Sequence, residues 1–211
     1  MNLFLKALNG THVYPLTDRH ISGLSHAQQV LELSSSGAAI VQLREKELTA
    51  REFYTEAAAA INVAREQAVR VIVNDRVDIA HALKADGVHL GQDDLPPTAA
   101  REILGPEAII GVSTHNLEQI RVASEMPVDY VALGPIFPTT AKPSSTPPVG
   151  PRGLREARKI LGEMPLVAIG GLTASNGPEV LTAGAAVLAI ITDCWKPQDN
   201  SPERRRRLFQ L

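Results

Sequence analysis

Eight short apolar runs recur along this chain of 211 residues, and nearly every one ends in a polar or glycine cluster. The runs are His12–Leu16, Ala38–Leu43, Val71–Val73, Gly87–Leu90, Ala108–Val112, Tyr130–Leu133, Leu166–Ile169 and Val187–Ile191. Segments of helical length lie between them, such as Leu24 to Ser34 and Arg51 to Gln67. Repeated strand-then-helix units imply a parallel sheet. Runs built almost wholly of Val, Ile, Leu and Ala are what strands look like when helices cover one face and a packed core the other. Eight such units are the number that closes a (β/α)8 barrel, a fold that carries its chemistry at the C-terminal strand ends, where the polar clusters fall. A doubly wound open sheet competes with it, but requires neither eight units nor polar groups at nearly every strand end. The expected class is α/β, a (β/α)8 TIM barrel, with residues 1–211 forming one domain.

Size and composition narrow the possibilities further. The chain is shorter than the roughly 250 residues usual for a barrel, so few insertions are expected. Lys plus Arg total 21 against 23 for Asp plus Glu, a net charge of −2 that argues against nucleic acid or an anionic membrane as main partner. The one cysteine, Cys194, forms no intramolecular disulfide and fits a reducing compartment; beside the last strand it reads as a small packing residue. Met1 to Leu8 lacks the long apolar stretch and cleavage site of a signal peptide, and no run reaches membrane-spanning length. The expectation is a cytoplasmic enzyme acting on small molecules, with a homo-oligomer left open. The Pro/Ser/Thr stretch from Pro138 to Pro148 falls where the loop after the sixth strand belongs and is a candidate lid. The basic run Arg204 to Arg207 reads as the solvated face of a short terminal helix.

Alternation along the second run sends Gln42, Arg44 and Lys46 to one side. If Val41 and Leu43 face the helices, these three face the barrel axis, where Arg44 can grip an anionic oxygen pair and Lys46 adds a compact charge. That is the composition of a phosphate or diphosphate site; a plain surface patch is the other reading, disfavoured because inward cations are costly without an anion. Asn74 and Asp75 end the third run, and Asp94 follows the fourth in Gly91-Gln-Asp-Asp94. Two carboxylates facing those cations suit magnesium, with Asp93 an ambiguous neighbour. Asp75 and Asp94 could equally be helix N-caps. Zinc lacks a Cys/His set of suitable spacing. His89 belongs to the interior or supports the site from behind, and His115 is a weak acid–base candidate. Thr139, Thr140 and Lys142 after the sixth run, Gly170-Gly171 after the seventh and Ile191-Thr192 after the eighth suggest a second anion site, since the last barrel loops often cup phosphate. The glycines could also merely make room for the next helix.

Taken together, Val41-Gln-Leu-Arg-Glu-Lys46, Val73-Asn-Asp-Arg76, Asp86-Gly-Val-His-Leu-Gly-Gln-Asp-Asp94, Ile110-Gly-Val-Ser-Thr-His115, Gly134-Pro-Ile-Phe-Pro-Thr139 and Ala168-Ile-Gly-Gly171 resemble, in order and spacing, the thiamine phosphate synthase family. The resemblance spans about Tyr14 to Thr192. It implies condensation of 4-amino-2-methyl-5-(diphosphooxymethyl)pyrimidine with a thiazole (carboxy)ethyl phosphate, releasing diphosphate by a magnesium-assisted dissociative route. By position it implies that Gln42, Leu43, Arg44, Glu45, Lys46, Asn74, Ser113 and Lys142 bind the pyrimidine diphosphate. Thr139, Thr140, Ala141, Gly171, Ile191 and Thr192 would hold the thiazole phosphate, and Asp75 and Asp94 would bind Mg2+. Arg44, Lys46, Ser113 and Lys142 would carry the catalysis. Ala141 replaces a hydroxyl in the family's loop pattern, Thr192 stands where serine is usual, and Val187 where glycine is usual. A thiazole tautomerase-like barrel, which binds thiazole phosphate without diphosphate chemistry, is the alternative; a non-catalytic phosphate-binding barrel is the third reading.

Overall fold

The computed structural model describes residues 2–139, 147–195 and 201–211. Among these residues eight strands form one parallel sheet: β1 (Val13–Pro15), β2 (Ile40–Leu43), β3 (Arg70–Asn74), β4 (Gly87–Leu90), β5 (Ile109–Thr114), β6 (Tyr130–Leu133), β7 (Leu166–Ile169) and β8 (Val187–Ile190). Their spatial order runs from β2 through β8 to β1 in sequence. The ring closes where Leu16 bridges Gln42 and the Thr17 N–H donates to the Gln42 carbonyl at 2.9 Å. The barrel expectation holds.

Helices surround the sheet: α1 (Leu3–Ala7), α2 (Arg19–Ser22), α3 (His26–Ser35), α4 (Ala50–Glu66), α5 (Val77–Leu83), α6 (Pro97–Leu104), α7 (Leu117–Ser124), α8 (Gly150–Leu161), α9 (Gly177–Thr182) and α10 (Pro202–Leu208). Two of them start at capping boxes legible in sequence, Ser25 with Gln28 and Thr49 with Glu52, in which each side chain satisfies the other residue's amide. These boxes place the first turns of α3 and α4 within a residue or two of the expected starts.

Alternation divides the core in two. Val41, Leu43, Val71 and Val73 point outward and pack under the helices, whereas Ile40, Ile72, Ile109, Val167 and Val187 fill the barrel. Val187 is fully buried there, so the side chain at this unusual position goes into interior packing. The short helix α1 plugs the lower end: Phe4 stacks on Tyr130 with centroids 4.0 Å apart and meets Tyr14 edge-on at 5.4 Å. Bottom closure by α1 leaves the opposite end as the open mouth.

One sequence expectation fails in this region. The run Arg204 to Arg207 is not simply a solvated face: Arg205 is buried, pairs with Glu32 at 2.7 Å and lies over the Trp195 ring, while Arg204 pairs with buried Asp193 at 2.6 Å. Charge counts cannot reveal this, because one partner lies far back in the sequence on α3 and the other on the 3-10 turn Thr192–Cys194. The run anchors α10 to the barrel.

Candidate active site

At the C-terminal strand ends opens a cleft of about 410 Å³, lined by residues from the ends of all eight strands, Leu16 after β1 included. Gln42 turns into the barrel, and Arg44 and Lys46 follow it on the same side, while Leu43 is buried in the outer core. Glu45 also points away. Its Oε1 accepts from the N–H groups of Lys46 and Glu47, both at 2.8 Å, and its Oε2 receives His26 at 3.3 Å and Arg19 at 3.6 Å. The side chains of Gln42, Arg44 and Lys46 therefore line the cleft, and those of Leu43 and Glu45 do not, as strict alternation dictates.

The turn after β2 is braced from beneath. The Thr17 hydroxyl contacts His26 Nδ1 at 2.7 Å and accepts the Arg44 N–H at 3.1 Å. Burial holds the His26 imidazole below its usual range despite Glu45 beside it. Burial raises the Glu45 acid, but the amides of Glu47, Lys46 and Leu48 together with His26 outweigh it and hold the carboxyl below the ordinary range. Asp18, between β1 and α2, ion-pairs with Arg44 and caps α2 by accepting the Ile21 N–H at 3.0 Å.

Lys46 reaches across to Asp75, which adopts a left-handed backbone with φ of +62°. Such a conformation costs a non-glycine residue about 1 kcal/mol or more. It is secured here by the Asp75 N–H donating to the His89 carbonyl at 2.8 Å. Asp94 lies close to Asp75; burial pushes its acid up, the Gly91 N–H at 2.6 Å opposes this, and the Asp75 carboxyl adds to it. Neither aspartate caps a helix, since the N-cap positions of α5 and α6 are Arg76 and Pro96. Among the described residues no group of three or more His, Cys, Asp or Glu side chains is placed so that it could hold a metal ion by itself. A cation here would have two carboxylates and would complete its shell with water and substrate oxygens, a donor set that fits magnesium.

Asn74, His89, Asp93 and Ser113 also line the cleft, and the Gln92 amide holds the Ser113 carbonyl at 2.5 Å. His115 donates from Nδ1 to the Gly134 carbonyl at 2.7 Å, tying the end of β5 to that of β6. On the far wall stand Thr139, Gly170, Gly171, Ile191 and Thr192. Gly171 has φ of +67°, and a Cβ there would lie 2.6 Å from the Pro138 carbonyl oxygen, so the close approach of these two loops requires glycine. The Asn176 amide holds the Gly171 carbonyl at 2.9 Å, and Asp193 accepts the Ala174 N–H at 2.9 Å. Thr140, Ala141 and Lys142 lie outside the described residues.

Comparisons with known proteins identify relatives of this chain. Residues 13–194 match the family described as thiamine monophosphate synthase. The chain is 42% identical over 193 residues to the thiamine-phosphate synthase of Albidiferax ferrireducens, covering 91% of this chain and 88% of that protein. It is 39% identical over 206 residues to that of Persephonella marina, covering 98% and 91%. A thiamine phosphate pyrophosphorylase structure from Pyrococcus furiosus superposes with a TM-score of 0.84 at 34% identity, covering 95% of this chain and 94% of that one. The (S)-3-O-geranylgeranylglyceryl phosphate synthase of Thermoplasma acidophilum, at 14% identity and a TM-score of 0.71, shares the fold.

Proposed function

The chain belongs to the thiamine monophosphate synthase family, and from that premise we propose that its cleft joins an aminopyrimidine methyl diphosphate to a thiazole ethyl phosphate, releasing diphosphate. As a thiamine-phosphate synthase it is a transferase. One observation carries the finer reading: Arg44 and Lys46 share one wall of the cleft with Asp75 and Asp94, while the opposite wall is made of glycine backbone and Thr192. Two anions of different charge have two differently built receptors.

In this reading Arg44 and Lys46 hold the diphosphate, with Lys142, which follows β6 in sequence, added to them. Departure of the diphosphate breaks its bond to the pyrimidine methylene carbon, the electron-rich ring bears the resulting positive charge, and the thiazole nitrogen donates its electron pair to that carbon. Asp75 and Asp94 would hold a magnesium ion, which when bound supplies charge neutralisation to the leaving group. Gln42, Asn74 and Ser113 align the pyrimidine; Thr139, Gly171, Ile191 and Thr192, with Thr140 and Ala141, hold the thiazole phosphate so that the two rings meet in line. No protein nucleophile is needed. The joint presence of Arg44, Lys46, Asn74, Asp75 and Asp94 in one cleft supports this over a tautomerase-like reading, which has no use for a diphosphate grip. Residues 1–211 would act as one catalytic domain, in the cytoplasm, on small molecules; among the described residues no helix is long and apolar enough to cross a membrane.

The test is direct. Purified protein incubated with both substrates and magnesium chloride is expected to form thiamine phosphate and diphosphate in equal amounts, and to form neither after chelation. Product without any metal dependence would remove the role of Asp75 and Asp94. No product, with thiazole phosphate still bound, would favour the tautomerase-like reading.

A further inference from the structure

Beneath the cleft a chain of hydrogen bonds crosses the barrel from β2 to β5. Gln42 Nε2 donates to the Tyr14 hydroxyl at 3.0 Å, Tyr14 meets the Tyr130 hydroxyl at 3.2 Å, Tyr130 meets His89 Nδ1 at 2.9 Å, and His89 Nε2 meets Ser113 Oγ at 2.8 Å. Both ends line the cleft, and the two phenols are buried in its floor. The middle link has room made for it: a Cβ at Gly111 would lie 2.0 Å from Tyr130 Cζ, so the glycine paired with Tyr130 across the ladder admits the phenol. The imidazole lies over the Tyr130 ring at 5.5 Å, fixing its plane.

We propose that this chain sets the donor–acceptor polarity of the pyrimidine subsite, making Tyr14, Tyr130 and His89 positioning residues that select an amino over an oxo pyrimidine. The inference rests on the function proposed above. An amide nitrogen is only a donor, so Tyr14 accepts from Gln42 and has its own O–H left for Tyr130. Tyr130 then donates to His89 Nδ1. The imidazole must carry its proton on Nε2 and donate to Ser113. At one end Gln42 turns its N–H groups to the two phenols, which leaves its carbonyl oxygen, an acceptor, outside the chain; at the other Ser113 is left with its O–H, a donor. A 4-aminopyrimidine edge offers the complement, an N–H donor beside a ring-nitrogen acceptor. The 4-oxo ring, with carbonyl and ring N–H, offers the reverse. Burial pushes both phenols above their ordinary range, so each keeps the proton the relay needs at neutral pH.

Tyr130→Phe cuts the chain while keeping the aromatic stack. Titration calorimetry would compare the aminopyrimidine methyl diphosphate with its 4-oxo analogue, both with magnesium chloride and without thiazole. The wild type is expected to prefer the amino compound by about a hundredfold or more, because a mismatched edge leaves buried polar groups unpaired. In Tyr130→Phe the preference should shrink about tenfold, with thiazole phosphate affinity unchanged; an unaltered preference would overturn the proposal. Tyr14→Phe cuts one link earlier and serves if Tyr130→Phe does not fold. Nitrogen NMR of the ligand-free wild type should find His89 as the Nε2–H tautomer, and the Nδ1–H form would overturn the polarity. Failure of the wild type to bind either pyrimidine would instead count against the proposed function, leaving the tautomer measurement to judge the chain alone.

Discussion

The two walls of the cleft are built on different principles. From β1 to β4 the wall is made of side chains held by other side chains: Asp18 on Arg44, Asp75 on Lys46, and Thr17, His26 and Glu45 as a brace under the β2 turn. From β6 to β8 it is made of main chain, with Gly171 pressed against Pro138 and the loop carbonyls and amides fixed by Asn176 and Asp193. A wall of charges can neutralise a diphosphate as its charge grows, but its groups must be paired when no ligand is present. A wall of amides needs no such pairing, and its geometry depends on where the backbone can go. The first wall should therefore fail through charge and the second through shape.

The contrast is broken most severely at the carboxylates. Asp75→Asn and Asp94→Asn should each lower magnesium-dependent turnover by more than roughly a hundredfold, since even a partner that merely supports a metal ligand is worth 10–100-fold. Thiazole phosphate affinity, measured by calorimetry, should survive in both. Retained turnover with unchanged magnesium dependence in either variant would remove that residue from the metal site. Joint loss of thiazole affinity would show that the two walls are not separable.

Next comes the cation facing the diphosphate. Arg44→Lys keeps the charge but exchanges a planar fork for a point contact. Losing one charge-assisted hydrogen bond is worth about 1.5–3 kcal/mol, or about tenfold to a hundredfold. The loss should fall on kcat more than on ground-state affinity, because leaving-group charge grows as the bond breaks. Equal turnover would mean that Arg44 serves chiefly as a partner for Asp18.

The same division explains how much could be read beforehand. Gln42, Arg44, Lys46, Asp75 and Asp94 were legible because strand alternation and strand-end position are local properties, and the cleft gathers them. Alternation also implies that Leu43 and Glu45 face away, although position in the family motif assigns them to the substrate. What stayed hidden depends on pairs far apart in sequence. Tyr14 and Tyr130 are 116 residues apart, and their strands read as plain apolar runs. Arg205 and Glu32 belong to opposite ends of the chain, so a buried ion pair looked like a solvated basic run. The glycine wall was half legible: Gly170-Gly171 stood out, but sequence could not tell an anion cup from room for a helix, and the Pro138 contact that demands glycine is visible only in three dimensions.

The backbone wall has its own, smaller test. In Gly171→Ala the new Cβ would meet the Pro138 oxygen at 2.6 Å and Phe137 Cβ at 2.7 Å, on a backbone with φ of +67°. The combined strain should cost about 2 kcal/mol or more of stability. As the loops separate, the Michaelis constant for the thiazole substrate should rise about tenfold, the equivalent of roughly 1.4 kcal/mol, with that for the pyrimidine diphosphate nearly unchanged. A rise in both constants would deny that the walls act independently.

The smallest effect concerns the brace under β2 and is read as a pH dependence. Burial holds the His26 pKa below its ordinary value of 6.5, so the unfolded chain binds a proton more readily than the folded one. Stability linked to this group is therefore full above about 6.5 and is lost as pH falls from there toward the lower folded value. Glu45, whose pKa is also lowered in the fold, acts with the same sign, its share declining only below about 4.5. His26→Gln retains an N–H donor toward Glu45 but cannot titrate. It should unfold at a lower temperature than the wild type at pH 7.5, having lost the fit to the Thr17 hydroxyl, yet its melting temperature should change less between pH 7.5 and 5.5. The charged wall should follow: near pH 5.5 the Michaelis constant for the pyrimidine diphosphate should rise in the wild type as the brace loosens, while that for the thiazole substrate stays level. Parallel melting curves across that interval would mean that His26 is not the titrating group, and an equal rise in both constants would place the pH-sensitive element outside the brace.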